Sequence, residues 1–182
     1  MYSAVMKFRC AINLLGLTKK KLVIPLFTFM IVAQCISQEF TVPELEFAFE
    51  LKVTIDQPIE LGETPHGKRI IIPISGGTFE GPGIKGRVLK GGADYQYVSM
   101  NGQRTELNAI YTIKTDDNVL IQVQNTGLIY TPKEALSEVY FRAAPKFEAP
   151  IDSKYAWLNN AIFICKPVGM NGYISIQVWK VL

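Results

Sequence analysis

A glycine-rich stretch at residues 76–95 limits the folds open to this chain, because seven glycines interrupt a pattern typical of strands there. Glycines cluster where the backbone needs a positive φ, or where two chain segments approach too closely for a side chain. Two such clusters flank a short strand-like segment around residues 84–89. The stretch therefore predicts a β-protein whose strands bend or bulge, as they do at the corner of a barrel.

The same stretch contains a match to a nucleotide-binding motif. Residues 81–86, GPGIKG, fit the G-x-G-x-x-G pattern of dinucleotide-binding turns, in which the N-terminus of a helix receives the pyrophosphate. That motif needs a helix directly behind it, whereas residues 87–89 continue as a strand into a second glycine pair, and Pro82 lies inside the loop. A barrel corner is favoured over a nucleotide site, and no cofactor is expected.

Strand patterns extend over most of the chain after residue 44. In residues 44–55, apolar side chains alternate with charged or polar ones, which predicts an antiparallel strand with one wet face. Further strands are predicted at residues 69–75, 95–100, 103–114, 119–125 and 173–182. Asn101-Gly102 and Asn171-Gly172 are dipeptides typical of tight turns, so neighbouring strands are expected to be joined directly.

One short helix is predicted at residues 132–137. Thr131 is a suitable N-cap, Pro132 fits the first helical turn, and Glu134 completes a capping box. Strands joined by short turns must protect their edges, either in a closed barrel or in a two-sheet sandwich. The glycine clusters favour a single all-β antiparallel barrel of about eight to ten strands, whose interior would hold side chains or one small ligand.

The first 37 residues read as a secretory leader, and residues 38–182 as the barrel domain. Three lysines, Lys19, Lys20 and Lys21, precede an apolar run at residues 22–33, and small residues follow near position 37. This run is shorter than the roughly twenty residues that a membrane-spanning helix needs, so a cleaved signal is favoured over an anchor. The domain is expected to be secreted or periplasmic.

A lipid anchor at Cys35 is the less favoured alternative. Gln34 stands immediately before it, where a lipobox has a small residue. Membrane contact is therefore expected only through the leader or through such an anchor.

The basic character of the chain belongs to the leader. The whole sequence carries a net charge of +3, but residues 1–37 contain five of its nineteen basic residues and none of its sixteen acidic ones. The remaining fourteen basic and sixteen acidic residues give a net charge of −2. Without a basic patch, the domain lacks the electrostatic footprint of a nucleic-acid-binding protein.

The domain offers few residues for metal binding or nucleophilic catalysis. Cys165 is its one cysteine, and in the apolar segment 161–165 it reads as a small buried hydrophobe. His66, the one histidine of the chain, lies in a polar loop at residues 64–68. Metal clusters and Ser-His or Cys-His pairs need a histidine placed by a third group, so neither is expected.

Several separated motifs occur in an order that resembles one known family. They are residues 77–82, 86–89, 91–94, 111–112, 115–117, 140–142, 145, 147–148 and 155–159. Together they resemble the domain-of-unknown-function 3237 family over nearly everything after Leu45. The resemblance implies a single-domain antiparallel β-barrel, with no activity established for the family as a whole and no catalytic residue to carry over. Lys90, Tyr95 and Asn118 depart from the family pattern, as does the leader.

The candidate ligand-binding residues are the polar and aromatic groups of these family-like segments. They are Glu80, Asp94, Tyr111, Arg142, Glu148, Trp157 and Asn159. The two acidic residues in glycine turns, Glu80 and Asp94, also suit a role in capping backbone N–H groups. Arg142 is expected to face the same cavity as Glu80 or Glu148, because an inward-pointing guanidinium needs a carboxylate or an anionic ligand. Trp157 suits either a cavity wall or a core position.

Two classes of function are compatible with these residues. The first is a small-molecule barrel, either a carrier or an enzyme that uses a carboxyl group as acid or base. The second is an exported structural or interaction domain with a filled barrel. The first is favoured, and the two differ in whether the interior holds a lined cavity with convergent polar groups. The sequence leaves open the ligand, any reaction and the oligomeric state, a homo-oligomer included.

Overall fold

The computed structural model describes residues 41–134 and 138–182, and ten antiparallel strands make up most of them. The strands are β1 (Leu45–Ile55), β2 (Ile59–Thr64), β3 (Gly67–Gly81), β4 (Ile84–Val88), β5 (Ala93–Val98), β6 (Arg104–Thr115), β7 (Leu120–Tyr130), β8 (Tyr140–Glu148), β9 (Phe163–Gly169) and β10 (Ile174–Val181). A single 3₁₀ turn, Ala156–Asn160, is the one helical element of the described residues.

The strands form one sheet that closes on itself. Strand β1 pairs with β10 on one side and with β3 on the other, which joins the two ends of the strand order. Strands β4 and β5 share one position in the barrel, because each pairs with β3 on one side and with β6 on the other. Strand β2 pairs with the same edge of β3 as β1 does, but nearer the start of β3. The ten strands therefore occupy eight positions around the barrel, and the predicted antiparallel barrel is confirmed.

The glycine-rich stretch lies where β3 pairs with β1 along one edge and with β4 along the other. Its register against β1 shifts by one residue beside Gly76, which leaves Ser75 as a bulge. The next glycine, Gly77, has a φ of +137°, and a Cβ there would collide with the backbone oxygen of Lys52. Residues 81–86 turn from β3 into β4, so the G-x-G-x-x-G match is followed by a strand.

One detail of the predicted pattern in β1 is wrong. The prediction placed Leu45 and Phe47 on the same face as Phe49, but they are 48% and 36% exposed while Phe49 is fully buried. The register against β10 shifts between Phe47 and Phe49, so Ala48 is an extra residue in a bulge. Because side chains alternate along a strand, one extra residue moves everything before it to the other face.

The helix predicted at residues 132–137 falls partly outside the described residues, which omit 135–137. The part that is described, residues 131–134, is not helical.

The 3₁₀ turn at Ala156–Asn160 begins after Tyr155 without a side-chain cap, so no capping signal in the sequence marks it. The predicted leader, residues 1–37, also lies outside the described residues. Among the described residues, no helical segment has the length and hydrophobicity of a membrane span.

The core fills one half of the barrel. Its centre is a chain of aromatic contacts, with ring centroids 5.5 Å apart between Phe49 and Phe147 and 5.1 Å apart between Phe147 and Phe163. Leu158, from the 3₁₀ turn, is buried against this cluster. Because these large side chains close this end of the barrel, any internal space must lie toward the other end.

Candidate functional site

A cavity of about 230 Å³ lies in the other half of the barrel. It is lined by the inward faces of strands from every part of the ring: Val53, Ile55, Ile72, Ile74, Asp94, Gln96, Leu107, Ala109, Tyr111, Asn125, Ile129, Phe141, Ala143, Pro167, Ile174 and Ile176. Most of these side chains are apolar. Four polar residues interrupt the apolar lining, namely Asp94, Gln96, Tyr111 and Asn125.

Small side chains at inward positions create this space. On β8, Ala143 and Phe147 are both buried, but the alanine lies beside the cavity and the phenylalanine fills the opposite half. Ala109 on β6 has Asp94 of β5 directly opposite on one side and Asn125 of β7 on the other. Its single methyl group leaves room between the carboxyl group and the amide.

The Asp94 carboxyl group is held from two sides. One oxygen, Oδ2, accepts a hydrogen bond of 2.7 Å from Nε2 of Gln96, and the other, Oδ1, accepts one of 3.1 Å from the backbone N–H of Asn108. Burial raises the pKa of Asp94 above its ordinary value, because its desolvation outweighs these two hydrogen bonds. The side chain is therefore an oriented carboxyl group with increased basicity.

The Tyr111 hydroxyl is buried and has no hydrogen-bond partner within the part of the chain that the structure describes. Burial raises the pKa of Tyr111, and the nearby Cys165 and Asp94 raise it further. The hydroxyl therefore keeps its proton and remains an available donor. Buried polar groups are nearly always paired, so an unpaired one calls for an explanation such as a ligand.

Asn125 and Cys165 make a weak polar contact beside the tyrosine. The amide nitrogen of Asn125 lies 3.7 Å from the sulfur of Cys165. Burial raises the pKa of the thiol to about 11, so the sulfur stays protonated and is a poor nucleophile. In the described ranges, no group of histidine, cysteine and acidic residues could hold a metal ion.

Two of the seven candidate residues from the sequence, Asp94 and Tyr111, line the cavity. Their role in ligand binding stays a prediction. Glu80 is exposed on the outer face of β3, where it lines a separate surface groove.

The expectation that Arg142 faces a cavity with Glu80 or Glu148 is wrong. Arg142 and Glu148 are exposed, because Ala143 and Phe147 take the inward positions of β8 and side chains alternate along a strand. The guanidinium of Arg142 donates a 2.8 Å hydrogen bond to the carbonyl of Phe141 and lies 5.3 Å from the ring centroid of Tyr140. The arginine therefore needs no buried carboxylate.

The last two candidates, Trp157 and Asn159, lie at the filled end of the barrel. Trp157 is 38% exposed and packs against Phe163, with ring centroids 5.8 Å apart. The Asn159 side chain accepts from the backbone N–H of Ala149 at 2.8 Å and donates to its carbonyl at 2.9 Å. Asn159 therefore fastens the 3₁₀ turn to the end of β8, and neither residue lines the cavity.

Two polar residues of the cavity lining, Gln96 and Asn125, were not predicted from the sequence. Asn125 lies two residues after Val123 and four after Ile121, all buried on the inner face of β7. A polar residue at a strand position where the alternation places apolar, inward-facing residues can be recognised in the sequence, and it indicates a polar group inside the barrel. Gln96 stands two residues after Asp94 on β5, and because side chains alternate along a strand, both point to the same face.

Comparison with known proteins agrees with this architecture. The profile of the family described as "Protein of unknown function (DUF3237)" matches residues 43–181. A UPF0311 protein of Clostridium acetobutylicum is 34% identical over 148 residues, which cover 75% of this chain and 92% of that protein.

Two solved structures share the fold. The crystal structure of a beta-barrel-like protein from Acinetobacter baumannii is 30% identical, has a TM-score of 0.71, and covers 80% of this chain and 99% of its own. An enzyme from Penicillium herquei has a TM-score of 0.63 over 81% of this chain and 100% of its own, but at 24% identity it shares the fold alone. From the family match and the relative in Clostridium, the chain belongs to the DUF3237 family of proteins of unknown function.

Proposed function

We propose that the barrel binds one small, mostly apolar molecule in its cavity, with a polar atom of that molecule accepting a hydrogen bond from Tyr111. The observation that carries this proposal is the buried Tyr111 hydroxyl, which has no partner within the described residues. Leaving such a group unpaired costs about 1 to 3 kcal/mol. A ligand that supplies the missing acceptor removes this cost, so binding is coupled to one defined atom.

The size and lining of the cavity support a ligand of limited size. An apolar cavity of about 150 Å³ is large enough to bind benzene. The cavity of this barrel is about 230 Å³ and is lined mainly by aliphatic side chains, which suits a molecule somewhat larger than benzene with one or two polar atoms. A structural role with a wholly filled barrel is less well supported, because the cavity beside Tyr111 leaves part of the barrel interior open.

A pair of adjacent alanines on β8 tests the proposal. Ala143 lines the cavity, whereas Ala144 is exposed on the outer face of the same strand. We expect Ala143→Leu to weaken binding of the bicyclic ketone 2-tetralone at least about tenfold, a loss of about 1.4 kcal/mol, because the larger side chain occupies the cavity. The measurement is isothermal titration calorimetry at one temperature.

The matched control is Ala144→Leu, which adds the same atoms outside the barrel and should leave the affinity for 2-tetralone unchanged. Tetralin, which lacks the carbonyl oxygen, should bind the unmodified protein more weakly than 2-tetralone. Equal affinity in the Ala143→Leu and Ala144→Leu variants, or no binding of either compound to the unmodified protein, contradicts the proposal.

We also propose that the barrel domain is exported, with the leader removed between Ser37 and Gln38. The order of a lysine cluster, a short apolar run and small residues supports this proposal, and the family match begins only at residue 43. The intact mass of protein from the secreted or periplasmic fraction should correspond to a chain that begins at Gln38. An uncleaved chain in the membrane fraction, or a chain that begins at a lipid-modified Cys35, would contradict it.

A further inference from the structure

We propose that the cavity catalyses proton transfer at the carbon next to a carbonyl group, with Asp94 as the base and Tyr111 as the donor to the carbonyl oxygen. This inference rests on the proposed binding function and adds the reaction class. It depends on three features of one apolar cavity: the oriented Asp94 carboxyl group, the Tyr111 hydroxyl, which no described residue engages, and a wall of aliphatic side chains.

Asp94 is placed to act as a base. It is the one acidic side chain among the residues that line the cavity, so no other carboxyl group of the described residues competes for the role. Its two oxygens already accept hydrogen bonds from Gln96 and from the backbone of Asn108, which fixes the orientation of the group and favours its ionised form. Each oxygen retains a lone pair that can receive a proton from a ligand.

Tyr111 is placed to stabilise an oxyanion. Its hydroxyl is buried beside the Asp94 charge and is not engaged by any described residue, so its proton is free to be donated. A donor aimed at the atom where negative charge develops is worth more in an apolar site than in water. A neighbouring carboxylate base and a tyrosine donor in an apolar pocket form a recognised arrangement for this chemistry.

The proposed step is balanced without an external reagent. Asp94 removes a proton from the carbon next to the carbonyl, and the C–H bond electrons form a C=C bond. The C=O π electrons move to oxygen, where Tyr111 donates a hydrogen bond to the resulting enolate. Asp94 then returns the proton to the same carbon or to a conjugated one, which gives epimerisation or isomerisation. If the proton on Asp94 is first replaced by one from water, the returned atom comes from solvent and the net result is isotope exchange.

The step is tested by hydrogen exchange of 2-tetralone in D₂O, followed by proton NMR on the full-length protein. We expect the unmodified protein to accelerate loss of the NMR signal of the protons on the carbons next to the carbonyl. We expect Asp94→Asn to lower this enzymatic exchange rate at least about 100-fold. Tyr111→Phe should lower it about 100-fold as well, as for other single oxyanion donors. The rate should rise with pH through a midpoint above the ordinary aspartate pKa of about 3.9.

The matched controls are Asp152→Asn and Tyr95→Phe, which make the same changes at exposed positions and should leave the rate unchanged. Thermal melting confirms that each variant folds, and if Asp94→Asn does not fold, Tyr111→Phe decides the outcome. Binding of 2-tetralone without accelerated exchange overturns this inference and leaves the proposed function intact. Exchange that survives in Asp94→Asn or Tyr111→Phe also overturns it, whereas absence of binding overturns both.

Discussion

Replacing Phe49 with alanine is expected to lower the free energy of unfolding by about 4 kcal/mol. The side chain is fully buried at the centre of the filled half, where its ring contacts Phe147 at 5.5 Å and Phe79 at 6.0 Å. Large-to-small changes of a buried phenylalanine remove the transfer free energy of the ring and leave a cavity, which together cost about 3 to 5 kcal/mol. Urea unfolding followed by circular dichroism measures the change.

The matched control is Phe47→Ala, two residues earlier on the same strand. Phe47 is 36% exposed beyond the bulge at Ala48, and its ring contacts Trp179 at a centroid distance of 5.3 Å. Its loss should cost only about 1 kcal/mol, the order of one exposed aromatic pair. Equal costs for the two changes would show that Phe47 is buried as deeply as Phe49, and therefore that β1 has no bulge at Ala48.

Replacing Tyr111 with phenylalanine is expected to stabilise the ligand-free protein by about 1 kcal/mol. The change removes a buried hydroxyl that has no partner within the described residues and keeps the ring in place. Removal of an unpaired buried group recovers its desolvation cost. The protein is freed of any bound molecule by unfolding and refolding, and its urea unfolding is compared with that of the unmodified protein.

Tyr155→Phe is the matched control, and its effect should have the opposite sign. Tyr155 is equally buried, but its hydroxyl donates a 2.8 Å hydrogen bond to Oδ1 of Asp117. Loss of a satisfied hydrogen bond should lower the free energy of unfolding by about 1 kcal/mol. If Tyr111→Phe destabilises the protein as much as Tyr155→Phe does, the Tyr111 hydroxyl is already satisfied and does not await a ligand.

The fold was largely predictable because it depends on local patterns. Alternation identified β1 and β10, Asn101-Gly102 identified a turn, and the glycine clusters pointed to a closed barrel. The bulge at Ala48 was not predictable, because an extra residue in an antiparallel pair shows only when the partner strand is known. The 3₁₀ turn was missed for a similar reason, since the contacts that hold it, with Ala149 and with the core, lie outside its own sequence.

The site was predictable only in part. Asp94, Tyr111 and Arg142 were all selected as polar or aromatic groups of the family-like segments, and the first two lie in the cavity. Arg142 was also expected to point inward, but it is exposed. The phase of β8 was already visible in Ala143 and Phe147, and it places the arginine outside. The position of the cavity in the barrel could not be predicted, because it depends on Ala109 lying between Asp94 and Asn125 across three strands.

Uptake of a small molecule by the cavity through the Tyr111 hydroxyl can be observed in a crystal structure of the protein soaked with 2-tetralone. We expect the bicyclic ring among the aliphatic side chains of the cavity, with the ketone oxygen within about 3 Å of the tyrosine oxygen, the distance of a hydrogen bond between two oxygens. An empty cavity with the compound bound on the outer face of the barrel would contradict it.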